Sequence, residues 1–472
     1  MKRQVKALLI SLVAIVLLVG VLFSLKLFIK PTEETPEPQK GSYTLISENY
    51  KTASKIEITN NSGSFIIDRI EDSVFSIPGF EDYPQDAADF VILFSGISRL
   101  SSSDMVPSPE DLEPNGLKNP AGKATIYFDS GKNYTVLVGG ESPYSETEGR
   151  YMKIDGDDNI YVLDKSVADL ILAKKTDFIS LSITNINFEK LSDVLKRADF
   201  SGKNVKAFSL LPEQKTYDGT NYADSFKISL PYDIFIDDDK ANTVFSTLLN
   251  LFASDIEVLG YTDDDLRKYG LLDPSVVASF TFSEDESIKL TLGNKTEDGD
   301  YYLISDKYKV IYRVSEHYAE TLATISPVSV MSTSPVLPTI YSVNNMIVDW
   351  KGERYNYKII SDPSDKTFLE VKLGNTEINS ADFKRFYSTA LLYKASDIAE
   401  PVAEGAPSLR IEYVYSDKQK GSDILEFYSI GERRYKVVKN KVSAYITKSS
   451  EINDITTLLD KLIAGERIVL DE

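Results

Sequence analysis

Tyr269-Gly270-Leu271-Leu272-Asp273-Pro274 decides how this chain is organised. The stretch Asn115-Gly116-Leu117-Lys118-Asn119-Pro120 stands 154 residues earlier and carries the same Gly-Leu-x-x-Pro core. At that offset Val138-Gly139 meets Leu292-Gly293, and Tyr127-Phe128 meets Thr281-Phe282 inside two alternating runs, ATIYF and ASFTF. After a three-residue deletion Tyr151 meets Tyr302, and Tyr161 meets Tyr312. A third, divergent copy closes the chain. Pro407 lies 133 residues after Pro274, and Tyr435 and Tyr445 lie 133 after Tyr302 and Tyr312. Self-similarity at a fixed period marks a tandem architecture.

Each copy reads as the same order of elements. Strand-like, β-branched and aromatic pieces come first: 54–58 with 64–70, 205–211 with 225–230, and 355–360 with 367–373. A one-sided apolar stripe at three- and four-residue spacing follows, predicting amphipathic helices over 86–100, 238–252 and 380–393. Asp86, Asp238 and Ser380 are the expected N-caps, because their oxygens can accept orphan backbone N–H groups. The Gly-Leu-x-x-Pro turn, a run of short antiparallel strands and a closing helix (166–172 and 315–322) complete the unit. The expected class is α+β: three tandem antiparallel sheets, each with one packed helix, behind a single transmembrane helix. The boundaries follow: 1–30 cytoplasmic head and anchor, 31–40 spacer, 41–176 first unit, 177–334 second, 335–472 third. The second unit carries an extra predicted helix at 188–198, and the uncharged, two-proline stretch 326–335 reads as a linker.

The helix, the Tyr-Gly-Leu-x-x-Pro turn, a strand pair ending in Gly and a Tyr-containing hairpin resemble the module known as domain of unknown function 4340. Tyr269–Pro274 and Leu292-Gly293 carry the likeness best; Asn115 replaces the tyrosine in the first unit, and Gly405-Ala406-Pro407 stands nearest in the third. The resemblance implies a bacterial protein held by one N-terminal helix, often encoded beside ABC-transporter components. It implies no activity and no binding residues.

The run 7–25, ALLISLVAIVLLVGVLFSL, has 19 residues and no charge, enough to cross a hydrocarbon core. Lys2, Arg3 and Lys6 precede it, so the N-terminus is expected in the cytoplasm and the bulk outside. A cleaved signal peptide is the rival, but the run is long and ends in Phe23-Ser24-Leu25-Lys26 without a small-residue cleavage site. The Pro/Glu-rich stretch that follows reads as an extended spacer.

Across 472 residues, 52 Lys and Arg face 72 Asp and Glu, a formal charge of −20 that argues against nucleic acid as a partner. Cysteine is absent and His317 is the one histidine, which removes disulfides, thiol catalysis and Cys/His metal sites. His317 has no nucleophile motif beside it and reads as a surface residue. Asp155-Gly-Asp-Asp-Asn159 lacks the Gly and Glu of a calcium loop and reads as a hairpin turn. Asp237–Asp239 and Asp263–Asp265 read as solvated helix starts.

The basic stretch with Arg433, Arg434, Lys436, Lys439 and Lys441 is the candidate interaction surface, for anionic lipid or an acidic partner. Its bland alternative is a charged, protected hairpin edge. No catalytic, cofactor or metal residue is assigned. The expected function is a non-enzymatic scaffold or accessory subunit of an envelope complex, with a membrane-protein partner such as a permease. An extracellular glycan or ligand-binding module is the alternative, and a hydrolase using acidic residues comes third.

Overall fold

The computed structural model describes residues 38–469, except 73, 144–147, 218–219, 231, 363, 403–404, 419 and 432. The expected anchor (7–25) and most of the spacer lie outside these residues. Among those described, no helix is long and apolar enough to cross a membrane.

The first sheet comprises β1 (Gln39–Thr44), β2 (Ala53–Asn60), β3 (Gly63–Glu71), β4 (Val74–Ser76), β5 (Ser101–Val106), β6 (Gly122–Phe128), β7 (Asn133–Ser142), β8 (Gly149–Ile154) and β9 (Ile160–Asp164). The second comprises β10 (Arg197–Ser201), β11 (Phe208–Tyr217), β12 (Thr220–Leu230), β13 (Ile234–Phe235), β14 (Asp255–Leu259), β15 (Val276–Thr281), β16 (Ser287–Lys295), β17 (Tyr301–Ser305) and β18 (Val310–Val314). The third comprises β19 (Val343–Trp350), β20 (Glu353–Asp362), β21 (Asp365–Leu373), β22 (Thr376–Ile378), β23 (Ala395–Ala399), β24 (Leu409–Tyr415), β25 (Ser422–Ser429), β26 (Arg434–Lys439) and β27 (Ser443–Lys448).

All three sheets have nine antiparallel strands. The second runs β13-β12-β11-β10-β15-β16-β17-β18-β14, and the third, β22-β21-β20-β19-β24-β25-β26-β27-β23, has the same topology. The first, β1-β5-β9-β8-β7-β6-β2-β3-β4, lacks one strand of the opening meander and reaches nine by adding β1 at the opposite edge. The chain packs as two compact units divided after Ser180, so the second and third sheets share a unit.

Two helices serve each sheet, the striped one and the closing one, where only the striped helix was expected to pack on it. They are α1 (Ala87–Ser98) and α2 (Lys165–Leu172), α3 (Asp238–Leu248) and α4 (Glu316–Ala323), and α5 (Ser380–Leu392) and α6 (Ser449–Ile463). The members of each pair touch. The stripes do what their spacing requires. Phe90, Leu93, Phe94 and Ile97 of α1 bury against Ile56, Ile67, Ile126 and Val136. Phe245 of α3 meets Phe200 and Phe280 edge to face, and Phe383 and Phe386 of α5 pack around Tyr357. Asp86 caps α1 by accepting from the Ala88 amide at 2.9 Å. The other two caps are Asp237 and Asn379, one residue before the expected Asp238 and Ser380.

Two further expectations are corrected, and one strand is present that the sequence pattern did not suggest. The helix predicted at 188–198 is a single turn, Leu191–Val194, followed by β10. Ala198 and Phe200 are buried at alternate positions there, and pairing on both sides wins over the short helical pattern. β19, in the middle of its sheet, escaped notice because Asn344, Asn345 and a bulge between Val343 and Asn345 interrupt its alternation. The stretch 326–335 is not a free linker. The Ser332 amide donates to the Phe235 carbonyl, and the Ala395 amide donates to the Thr333 carbonyl, both at 2.8 Å. This segment therefore ties the second sheet to the third.

Candidate functional site

The repeat-signature residues form a turn clamped onto a strand. Gly116 and Gly270 adopt φ +68° and +73°, open to glycine at little cost. The turn carbonyls of Asn115 and Tyr269 accept from the Gly140 and Asn294 amides, both at 2.9 Å. A Cβ on Gly139 or Gly293 would lie 2.3 Å from those same carbonyl oxygens. Leu117 and Leu271 are buried under the clamp, beside Tyr151 in the first sheet and near Tyr302 in the second. Pro120 and Pro274 lead each turn into its next strand, where the Ala121 and Ser275 amides bond to Val138 and Leu292. These residues hold the fold together. Tyr269 adds a ring contact with Tyr302 at 4.4 Å and a hydroxyl bond to Glu257 at 2.8 Å. Asn115, in the same place, is fully buried with its amide atoms unpartnered.

The third sheet departs from this arrangement. The Ser408 amide bonds to Phe427 as Ala121 does to Val138, so Tyr428 occupies the clamp-glycine position. Tyr428 is buried and fills the space a docked turn takes elsewhere. A Cβ on Gly405 would meet no atom within 4 Å, so the stretch before Pro407 docks on nothing through that glycine.

The register of the last hairpin also differs. Tyr161 pairs with Met152 and Tyr312 with Leu303, whereas Tyr445 pairs with Val437. Tyr161, Tyr312 and Tyr445 are all buried. Tyr435, however, is one place out of register with Tyr151 and Tyr302, and Lys436 stands in their position. The third turn is one residue shorter, so an equal spacing along the sequence conceals a slip that exchanges faces.

This slip governs the basic stretch. β26 is not an edge; it lies between β25 and β27. Tyr435, Val437 and Lys439 share one face, and the first two pack on the third core. Arg433 and Arg434 are exposed at one end of the hairpin, and Lys441 is exposed in the turn at the other. Asn440 and Lys441 both take positive φ there, +54° and +58°, as the central residues of a primed turn closed by the Val442 amide on the Lys439 carbonyl. Lys436 donates to the Val402 carbonyl. The five cations therefore do not form one continuous surface.

Lys439 is the exception among them. It is only 8% exposed and has no hydrogen-bond or ion-pair partner among the described residues. Ile154 and Ser305 take its place in the first and second sheets, by the pairing just described. It lines a cleft of about 270 Å³ between the second and third sheets. Lys227, Asp233 and Phe235 line the near side, the 332–338 segment forms a wall, and Tyr415, Lys420, Asp423 and Asn440 complete it. The Lys227 ammonium meets Asp233 at 2.6 Å and lies over the Phe235 ring. Asp423 accepts from the Tyr415 hydroxyl at 2.6 Å and from the Asn440 amide at 2.8 Å. Sequence reading grouped Lys439 with its basic neighbours; the strand alternation that buries it was the available signal.

The remaining candidates resolve locally. Asp157 accepts from the Asn159 amide and the Tyr161 hydroxyl within its own turn. Asp265 forms a capping box with Thr262, whose hydroxyl and amide hold its carboxyl below the usual range. His317 is exposed in the first turn of α4, its ring 5.1 Å from that of Tyr318. Among the described residues no group of three or more carboxylates and histidines converges as a metal set. Tyr357, Tyr393 and Tyr413 are sheet or core residues, and burial pushes their phenols up.

The family model described as Domain of unknown function (DUF4340) matches the chain twice, over 76–271 and 227–408, more than half its length. The chain belongs to the DUF4340 family. Each DUF4340 match opens ten residues before a helix N-cap, Asp86 in one and Asp237 in the other. The first ends on Leu271 of the Gly-Leu turn, and the second ends just past Pro407. The DUF4340 pattern thus runs from the helix of one sheet to the turn of the next, out of phase with the sheets themselves. Comparison with curated proteins and with solved structures gives no match.

Proposed function

We propose that this DUF4340 protein is a non-enzymatic, single-pass membrane protein whose folded part stands outside the cytoplasm. There it serves as a scaffold or accessory subunit of an envelope complex of the ABC-transporter kind, with a permease as partner. The observation that supports the reading is the tandem array of nine-stranded sheets behind an uncharged run of 19 residues with a basic head. Repetition multiplies surface available for contact. Ile66, Ile70 and Val74 are exposed on the last two strands of the first sheet, where a partner would find apolar area.

The test is extraction in mild detergent, purification through a C-terminal tag and quantitative mass spectrometry. A permease or ATPase in stoichiometric amount is expected, together with digestion of the bulk by protease added to intact cells. A chain that purifies alone and is fully protected in intact cells overturns the proposal. The second reading, a ligand-binding module, is favoured by the charged cleft between the second and third sheets.

A further inference from the structure

We infer that this cleft binds a small monocarboxylate, with the Lys439 ammonium as its anchor. The inference deepens the ligand-binding reading and is independent of the membrane-subunit proposal.

The first argument is the placement of Lys439. Its stem is buried while its ammonium opens on the cleft, so an anion that enters meets a cation with no protein partner to displace among the described residues. Lys439 is 8% exposed and unpaired among the described residues. The fold does not ask for a cation there, since the equivalent strands carry Ile154 and Ser305. A cation that faces a cleft and that the scaffold does not need is a mark of a site.

The second argument is charge. The cleft is lined by Lys227, Lys420 and Lys439 against Asp233 and Asp423, an excess of one positive charge in a chain of net −20. Asp233 is taken by Lys227, and Asp423 is held by Tyr415 and Asn440. A single negative charge balances the lining. A phosphate dianion would bring one negative charge more than the lining's excess can balance.

The third argument is size and surface. About 270 Å³ is the share of roughly nine waters, just below the ~300 Å³ where drug-sized sites begin. That suits a short-chain acid or a molecule of amino-acid size. Val336, Leu337 and Pro338 offer apolar contact for its carbon chain beside the ammonium.

The experiment uses the full chain in detergent, with sodium propionate, inorganic phosphate and sodium chloride as probes at equal ionic strength. Binding is read by calorimetric titration and by thermal unfolding. Propionate is expected to bind saturably and raise the midpoint, phosphate and chloride much less. Lys439→Met should weaken propionate by about tenfold or more. Its unliganded midpoint should stay close to that of the parent, because the ammonium holds no partner among the described residues. A second readout needs no variant: propionate should slow acylation of Lys439 by an amine-reactive reagent while leaving exposed Lys441 unaffected.

Phosphate binding as tightly as propionate overturns the carboxylate assignment. Binding that survives Lys439→Met, or acylation of Lys439 that propionate does not slow, overturns the anchor. A lowered unliganded midpoint in Lys439→Met shows a structural lysine and also overturns it. No binding of any probe to the parent chain defeats the ligand-binding reading of the cleft itself.

Discussion

Gly139→Ala should damage the first sheet, while Gly140→Ala, one residue on, should not. A Cβ at position 139 would sit 2.3 Å from the Asn115 carbonyl oxygen and 2.9 Å from Leu117 Cγ. The oxygen is backbone and cannot rotate away, so the turn must withdraw. Withdrawal breaks the 2.9 Å bond from the Gly140 amide to Asn115, worth about 0.5–1.5 kcal/mol. Overpacking against buried Leu117 adds about 1–3 kcal/mol. The expected loss is about 2–4 kcal/mol, or a fall of about 4–16 °C in the unfolding midpoint of the N-terminal unit. At position 140 the nearest atom to a new Cβ is the same oxygen at 3.5 Å, an ordinary contact. The change there should stay within about 0.5 kcal/mol. Differential scanning calorimetry of the full chain follows both variants, with the unit beyond Ser180 as internal reference. Equal effects of the two alanines, or no effect at position 139, would refute the clamp.

Tyr428→Ala should cost about 3–5 kcal/mol in denaturant unfolding, because it removes a buried ring from its cluster with Val438, Ala444 and Ala399; a loss below about 1 kcal/mol would mean the ring packs on nothing. Acid should weaken the fold through Asp349 and Asp199, whose carboxyls are held below the usual range by hydrogen bonds from Arg354 and Arg197, with Arg410 and Ser209 assisting. Because the folded values are depressed, this stability is present above the unfolded carboxylate value near pH ~4 and is lost as pH falls through the folded ones. The midpoint should therefore drop as pH falls below about 4, less steeply in Arg354→Ala, and an unchanged slope in that variant would contradict the assignment.

The sequence by itself determined the features that depend on near neighbours along the chain. The stripes of α1, α3 and α5 are legible because one helical face repeats every three or four residues whatever lies opposite. The Gly-Leu-x-x-Pro turns are legible because a positive φ selects glycine locally. The two turns pointed to the family, and with the proline and tyrosine spacings of the last unit they pointed to three sheets.

Tertiary structure decided what depends on a partner strand. β19 was hidden by its own bulge, and β10 by a helical pattern too short to prevail, since both are specified by the strands they join. Tyr435 kept the tenfold spacing of its relatives yet lost their place, because register is counted across a hairpin and that turn is one residue shorter. The same counting turned Lys439 from one of five surface cations into a buried one. The cleft it lines arises because the stretch 331–335 bonds to both neighbouring sheets, and no local pattern encodes that double attachment.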